Sequence, residues 1–141
     1  MKRSERRGDG RGEPPVVAIV DDDASVRQST RRLIRSFGYR AEAFGSGEEF
    51  LSCASAAETA CLVLDVRMPS MDGLEVQRRL VERAARIPIV FLTGRASDDD
   101  ERRARSAGAV AFLRKPVGKD ALLQAIRKVL HRPAAYSRQW Q

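Results

Sequence analysis

A continuous apolar run, Cys61-Leu62-Val63-Leu64, ends in the single carboxylate of Asp65, and the turn Arg67-Met68-Pro69-Ser70-Met71-Asp72-Gly73 follows almost at once. A strand with no polar alternation needs cover on both faces, as parallel sheets inside α/β folds have. It delivers Asp65 to the carboxyl edge of the sheet, where such folds place their ligands. A lone Asp there can simply cap the next helix. This one has counterparts: Asp21-Asp22-Asp23 follows Val16–Val20, Thr93 follows Pro88–Leu92, and Lys115-Pro116 follows Val110–Leu113. Acid, acid, hydroxyl and amine meet at one edge. The set points to phosphoryl chemistry with a divalent metal.

Helical patterns separate the runs. Ala24–Phe37 places Val26, Leu33, Ile34 and Phe37 on one face and is stopped by Gly38; Arg40–Phe44 is a second strand. Ser46 caps a helix from Gly47 to Ala54, and Leu62–Asp65 is the third strand. Gly73–Arg83 carries Leu74, Val76 and Leu80 inward. Asp98–Ala107 sets three aspartates at its positive end but has little apolar face beyond Ala104 and Ala107. Lys119–Leu130 is strongly amphipathic. Five alternations predict a (βα)5 doubly wound parallel five-stranded sheet with helices on both faces. Residues 1–14 read as a disordered basic leader, 15–131 as the folded domain, and 132–141 as a tail with no output domain.

The net charge of +7 and pI near 10.2 raise nucleic-acid binding, but the basic residues crowd the leader and tail or scatter among acids. No helix-turn-helix pattern or zinc-finger spacing accompanies them, so direct nucleic-acid binding is not expected. His131 is the sole histidine and sits where structure is ending, which argues against histidine-dependent hydrolysis. Cys53 and Cys61 lack metal-ligand spacing and read as buried hydrophobes. No apolar stretch approaches the roughly 20 residues that cross a bilayer. No apolar segment backs the charged N-terminus, so a cytoplasmic location without membrane association is expected.

Clustered carboxylates at Asp21, Asp22 and Asp65 repel one another unless a cation lies between them. A hard ion with oxygen ligands fits, and Mg²⁺ takes one or two carboxylates together with phosphate oxygens. Asp23 reads as the cap of the following helix. Asp65 is the expected nucleophile for a phosphoryl group, with Lys115 neutralising its oxygens and Thr93 hydrogen-bonding one of them. Lys2, Lys115, Lys119 and Lys128 are the only lysines among 26 basic residues. A compact ammonium retained before Pro116 suits a phosphate site, and the bond between the two is a candidate for cis.

Ile19-Val20-Asp21-Asp22-Asp23, Leu64-Asp65-Val66-Arg67-Met68-Pro69, Leu92-Thr93-Gly94 and Lys115-Pro116 together resemble the signature of bacterial two-component response-regulator receiver domains. That fold is described as flavodoxin-like or CheY-like. The Asp-x-Arg-Met-Pro and Thr-Gly elements, with Ala107-Gly108-Ala109-Val110, look most like FixJ/NarL-type receivers. The likeness runs from Val16 to Leu130. It implies Asp65 as phosphoacceptor, Mg²⁺ held directly by Asp22 and mainly through water by Asp21, and the main-chain carbonyl of Arg67 as a further ligand. It also implies Thr93 and Lys115 as phosphate sensors and Phe112 as an aromatic switch, although Phe112 reads equally as core filling.

The resemblance further implies a sensor histidine kinase or phosphotransfer protein as donor, a downstream protein as target, and a phosphorylation-dependent homodimer as one output. The chain reads as a signalling module that catalyses only its own phosphorylation and dephosphorylation. A single-domain regulator is the expected form; the alternative is a receiver fragment of a longer FixJ/NarL-type DNA-binding regulator. A haloacid-dehalogenase-like phosphatase is the remote alternative, because it needs a second Asp where Arg67 stands. Val117, Arg67 and Arg95 depart from the commoner pattern, and the resemblance implies that the two arginines stand at positions bordering the phosphate's access route, so altered dephosphorylation is expected.

Overall fold

The computed structural model describes residues 14–130. The leader up to residue 13, His131 and the tail 132–141 lie outside the described residues. The chain alternates strictly: β1 (Val16–Val20), α1 (Ala24–Ser36), β2 (Arg40–Phe44), α2 (Gly47–Leu51), a 3₁₀ turn (Ala56–Glu58), β3 (Cys61–Leu64), α3 (Gly73–Glu82), β4 (Ile89–Thr93), α4 (Asp98–Ser106), β5 (Ala111–Arg114) and α5 (Lys119–Leu130). All strands are parallel, in the order β2-β1-β3-β4-β5. The expected (βα)5 doubly wound sheet is the fold.

The period of two along each strand sends neighbours to opposite faces. Ala18 and Val20, Leu62 and Leu64, and Phe91 join Phe50, Val76, Leu80 and Ala104 in one core. Val17 and Ile19, Cys61 and Val63, and Val90 and Leu92 meet Ile34, Leu122, Ala125, Ile126 and Val129 in the other. Each large side chain so buried contributes about 1.5–3 kcal/mol. Helix α4 contributes only Ala104 to this, and Ala107 is exposed. Leu33 and Phe37 are half-buried beside the second core rather than inside it, and Leu74 likewise flanks the first.

Several boundaries fall away from the pattern in the residues. The helix expected to run to Ala54 stops at Leu51, where the Ser52 hydroxyl donates to the Glu48 carbonyl and the chain turns into the 3₁₀ segment. Cys53 is therefore half-buried, not buried, with its Sγ 3.3 Å from Ser55 Oγ. Strands β3, β4 and β5 each shift by one residue, so Asp65 lies just beyond its strand and Thr93 is the last residue of β4. Gly38 and Gly108 follow helix ends with φ of 97° and 105°, a left-handed conformation that suits glycine.

Candidate functional site

Register assembles the site. Val20 pairs with Leu64, so the next residues, Asp21 and Asp65, emerge side by side, and the Asp65 N–H donates to the Val20 carbonyl at 3.1 Å. Thr93 pairs with Arg114, and the Lys115 N–H donates to the Thr93 carbonyl at 2.8 Å. Four strand ends thus converge on one edge, across β1, β3, β4 and β5.

The turn after Asp65 is set by close approach. A Cβ on Gly73 would stand 2.2 Å from the Asp65 carbonyl oxygen, so only glycine fits where α3 begins. The Gly73 N–H donates to the Val66 carbonyl at 2.8 Å, and Asp72 caps α3 by accepting from the Glu75 N–H. On the other side Asp23 caps α1, accepting from the N–H groups of Ser25 and Val26. That leaves Asp21 and Asp22 outside the capping role.

Asp21 and Asp65 are 4% and 7% exposed, whereas Asp22 is open to solvent. One oxygen from each of the three lies within 4.8 Å of the others. Lys115 Nζ is 2.9 Å from Asp21 Oδ2 and 3.9 Å from Asp65 Oδ2, and the Lys115–Pro116 bond is cis. Asp21 Oδ1 accepts from the Asp23 N–H, and its carbonyl accepts from Arg27. Asp65 Oδ1 is buried with no hydrogen-bond partner among the described residues. Burial, and then the Asp21 charge, push the Asp65 carboxyl above the usual carboxylate range, against the pull of Lys115. A clustered set of hard oxygens with one orphaned buried lone pair suits a divalent cation.

A cavity of about 210 Å³ over these groups is lined by Asp21, Asp22, Asp23, Asp65, Arg67, Gly94 and Arg95. Thr93 is buried, its hydroxyl donating to the Arg95 carbonyl at 3.2 Å. Phe112 lies apart from the cavity, 6% exposed, with its ring 5.6 Å from that of Phe91 and the Arg114 guanidinium 5.4 Å above it.

Two contacts were not visible as motifs. The Arg67 guanidinium is ion-paired with Asp100, which is 5% exposed. Arg114 bridges from β5 to Glu101 at 3.1 Å and to the Ala96 carbonyl at 2.8 Å. Only the local half of the first was readable: Ser97 and Asp100 have capping-box spacing, and both reciprocal bonds form.

Comparison with known proteins gives one consistent likeness. The family described as response regulator receiver domain matches residues 17–127. The response regulator protein TmoT of Ectopseudomonas mendocina is 44% identical over 115 residues, covering 82% of this chain and 52% of that protein. Nodulation protein W of Bradyrhizobium diazoefficiens is 43% identical over 111 residues, covering 79% and 49%. This chain spans about half the length of these curated relatives. Among solved structures, response regulator StyR superposes with a TM-score of 0.78 at 42% identity, covering 89% of this chain and 64% of that one. FixJ-N superposes at 0.75 with 34% identity, covering 83% and 94%.

Proposed function

Because the chain belongs to the response regulator receiver domain family, we propose that Asp65 accepts a phosphoryl group from a sensor histidine kinase or a phosphotransfer protein. The observation that carries this reading is the orphaned, buried Oδ1 of Asp65, flanked by two acids and by Lys115 at 3.9 Å from its other oxygen.

The chemistry follows from the groups present. A carboxylate oxygen of Asp65 forms a bond to phosphorus while the phosphorus–nitrogen bond of the donor's phosphohistidine breaks; the imidazole leaves with the electron pair and takes up a proton. Asp21, Asp22, Asp65 and the Arg67 carbonyl would hold Mg²⁺, which when bound offsets the charge on the phosphoryl oxygens. Lys115 supplies a second positive charge and moves from Asp21 towards the phosphoryl group. The Thr93 hydroxyl exchanges its bond to the Arg95 carbonyl for one to a phosphoryl oxygen. Phe112, already buried against Phe91, follows that movement as the switch.

The protein is thus a signalling component that catalyses only its own phosphorylation and dephosphorylation. Its output is altered contact with a downstream protein, homodimerisation among them. Among the described residues no helix is long and apolar enough to cross a membrane, and cytoplasmic action suits a cytoplasmic kinase domain as donor. The relatives are regulators about twice as long, which supports the receiver as one part of such a system.

The test is incubation with Mg²⁺ and a phosphoramidate donor, comparing wild type with Asp65→Ala. An acid-stable, hydroxylamine-sensitive phosphoryl label on wild type alone is expected. Absence of label on wild type, or equal label on both, would overturn the assignment.

A further inference from the structure

Helix α4 is docked by polar clamps. Within it only Asp100 and Ala104 are buried, so it lacks the apolar anchor that holds α3 and α5. Among the described residues, three polar side chains hold it instead. Gln77 Nε2 donates to the Ala104 carbonyl at 3.0 Å, and Arg114 reaches Asp98, Glu101 and the carbonyls of Ala96 and Ser97. The third is Arg67 on Asp100.

The third clamp differs from the others because its cation belongs to the site. Arg67 follows Asp65 by two residues and lines the same cavity. Its partner, Asp100, is the third residue of α4, and the same Oδ2 accepts the Ser97 N–H at 2.9 Å in the capping box. One guanidinium therefore ties the rim of the cavity to the first turn of α4. A phosphoryl group on Asp65 would place about two negative charges beside that guanidinium, against one on Asp100.

We propose that Arg67 is a latch shared between Asp100 and the phosphoryl group on Asp65: phosphorylation draws the guanidinium off Asp100 and loosens the start of α4. This rests on Asp65 being the phosphoacceptor, and adds a route from the site to α4 that does not pass through Thr93 and Phe112. Arg67 acts here through its side chain, independently of its carbonyl. Asp100 is a positioning residue that holds Arg67 away from the phosphoryl oxygens.

Linkage gives the latch a signature that simple structural support lacks. If the bound anion and Asp100 compete for one cation, each weakens the other's hold by the same factor. Removing Asp100's charge must strengthen anion binding, and removing Arg67's must weaken it. Opposite signs from the two ends of one ion pair are not expected of two residues that merely stabilise the fold.

The experiment titrates beryllofluoride, a phosphoryl mimic, into the full chain at saturating Mg²⁺, following the affinity by calorimetry and the α4 amides by hydrogen exchange. Asp100→Asn keeps an oxygen for the Ser97 N–H and loses only the charge. It should bind beryllofluoride about fivefold more tightly than wild type, and Arg67→Gln about fivefold more weakly. Wild type should show faster exchange in the first turn of α4 on saturation, while both variants exchange fast there from the start. Arg102→Gln, which removes a cation that pairs with Asp99 on the same helix, controls for net charge and should match wild type. The same sign of change in Asp100→Asn and Arg67→Gln overturns the latch, as does an acceleration of exchange in the first turn of α4 that is as large in Arg67→Gln as in wild type. If beryllofluoride binds and these patterns fail, the latch alone is wrong. If it fails to bind and Asp65 takes no phosphoryl label, both the latch and the phosphoacceptor assignment fall.

Discussion

Lys115 Nζ rests 2.9 Å from Asp21 Oδ2, against 3.9 Å from Asp65 Oδ2, so the ammonium occupies an oxygen of the acidic cluster. A fixed positive charge there competes with any divalent cation that the carboxylates hold. Lys115→Met should therefore tighten Mg²⁺ binding, on the order of tenfold or about 1.4 kcal/mol. The same substitution should weaken beryllofluoride binding at saturating Mg²⁺, because the ammonium is then missing from the phosphoryl side. Calorimetric titrations of both ligands check this; parallel changes in the two affinities would contradict it.

Asp65 costs the fold stability. Its Oδ1 is buried without a partner among the described residues, and burial with the Asp21 charge raises its carboxyl above the ordinary range. A carboxyl raised in the folded state contributes least stability where it is ionised, so the cost appears as pH rises through the raised value. Asp65→Asn removes the charge and leaves Lys115 paired with Asp21. In metal-free buffer at neutral pH the variant should be more stable by about 1 kcal/mol, a shift of roughly 4 °C in Tm. The gain should shrink as pH falls through that raised value and be gone below about 4, the ordinary carboxylate value, where the carboxyl is neutral in the folded and unfolded chain alike. Added Mg²⁺ should stabilise wild type more than the variant. Thermal melts across pH, with and without Mg²⁺, measure all of these.

Gly73 tests how tightly the site is built. Its missing Cβ would meet the Asp65 carbonyl oxygen at 2.2 Å and the Phe91 ring at 3.1 Å. Neither is the far end of a flexible chain, so the backbone of α3 or of the turn must move. Gly73→Ala should destabilise by about 1–3 kcal/mol, seen as an earlier urea midpoint. Because the displaced atom belongs to Asp65, phosphoryl labelling should fall as well. Gly118→Ala, where a Cβ meets nothing within 4 Å among the described residues, is the control that should do neither.

The strand ends were readable because one physical cause writes both sequence and structure. An apolar run must stop where the sheet meets water, and Asp21, Asp65, Thr93 and Lys115 stand at those stops. Hydrophobicity locates the edge within a residue or so. It does not say which strand is paired at its last position, hence the single-residue shifts in β3, β4 and β5. Cys53 is only half-buried because α2 stops at Leu51, and apolar neighbours in the chain do not guarantee burial once the helix ends. The Arg67–Asp100 pair spans 33 positions and Lys115–Asp21 spans 94. No local pattern encodes either, since each depends on which strands lie side by side.

Cys61 provides an internal reporter of the whole fold. It is fully buried in β3, and burial pushes its thiol up to about 12. At pH 8 roughly one thiol in 10⁴ would be the reactive thiolate even if reagent reached it. Cys53 is half-buried in the segment after α2. An aromatic disulfide reagent at pH 8 should therefore modify one thiol per chain quickly and the second only as the protein opens. When opening and closing are fast relative to modification, the slow rate follows the equilibrium population of the open form. Asp65→Asn should slow that phase about fivefold in metal-free buffer, the kinetic image of about 1 kcal/mol. Mg²⁺ should slow it in wild type, and Gly73→Ala should speed it. Rapid modification of both thiols in native buffer would show that β3 opens locally, and Cys61 would then not report the opening of the whole fold.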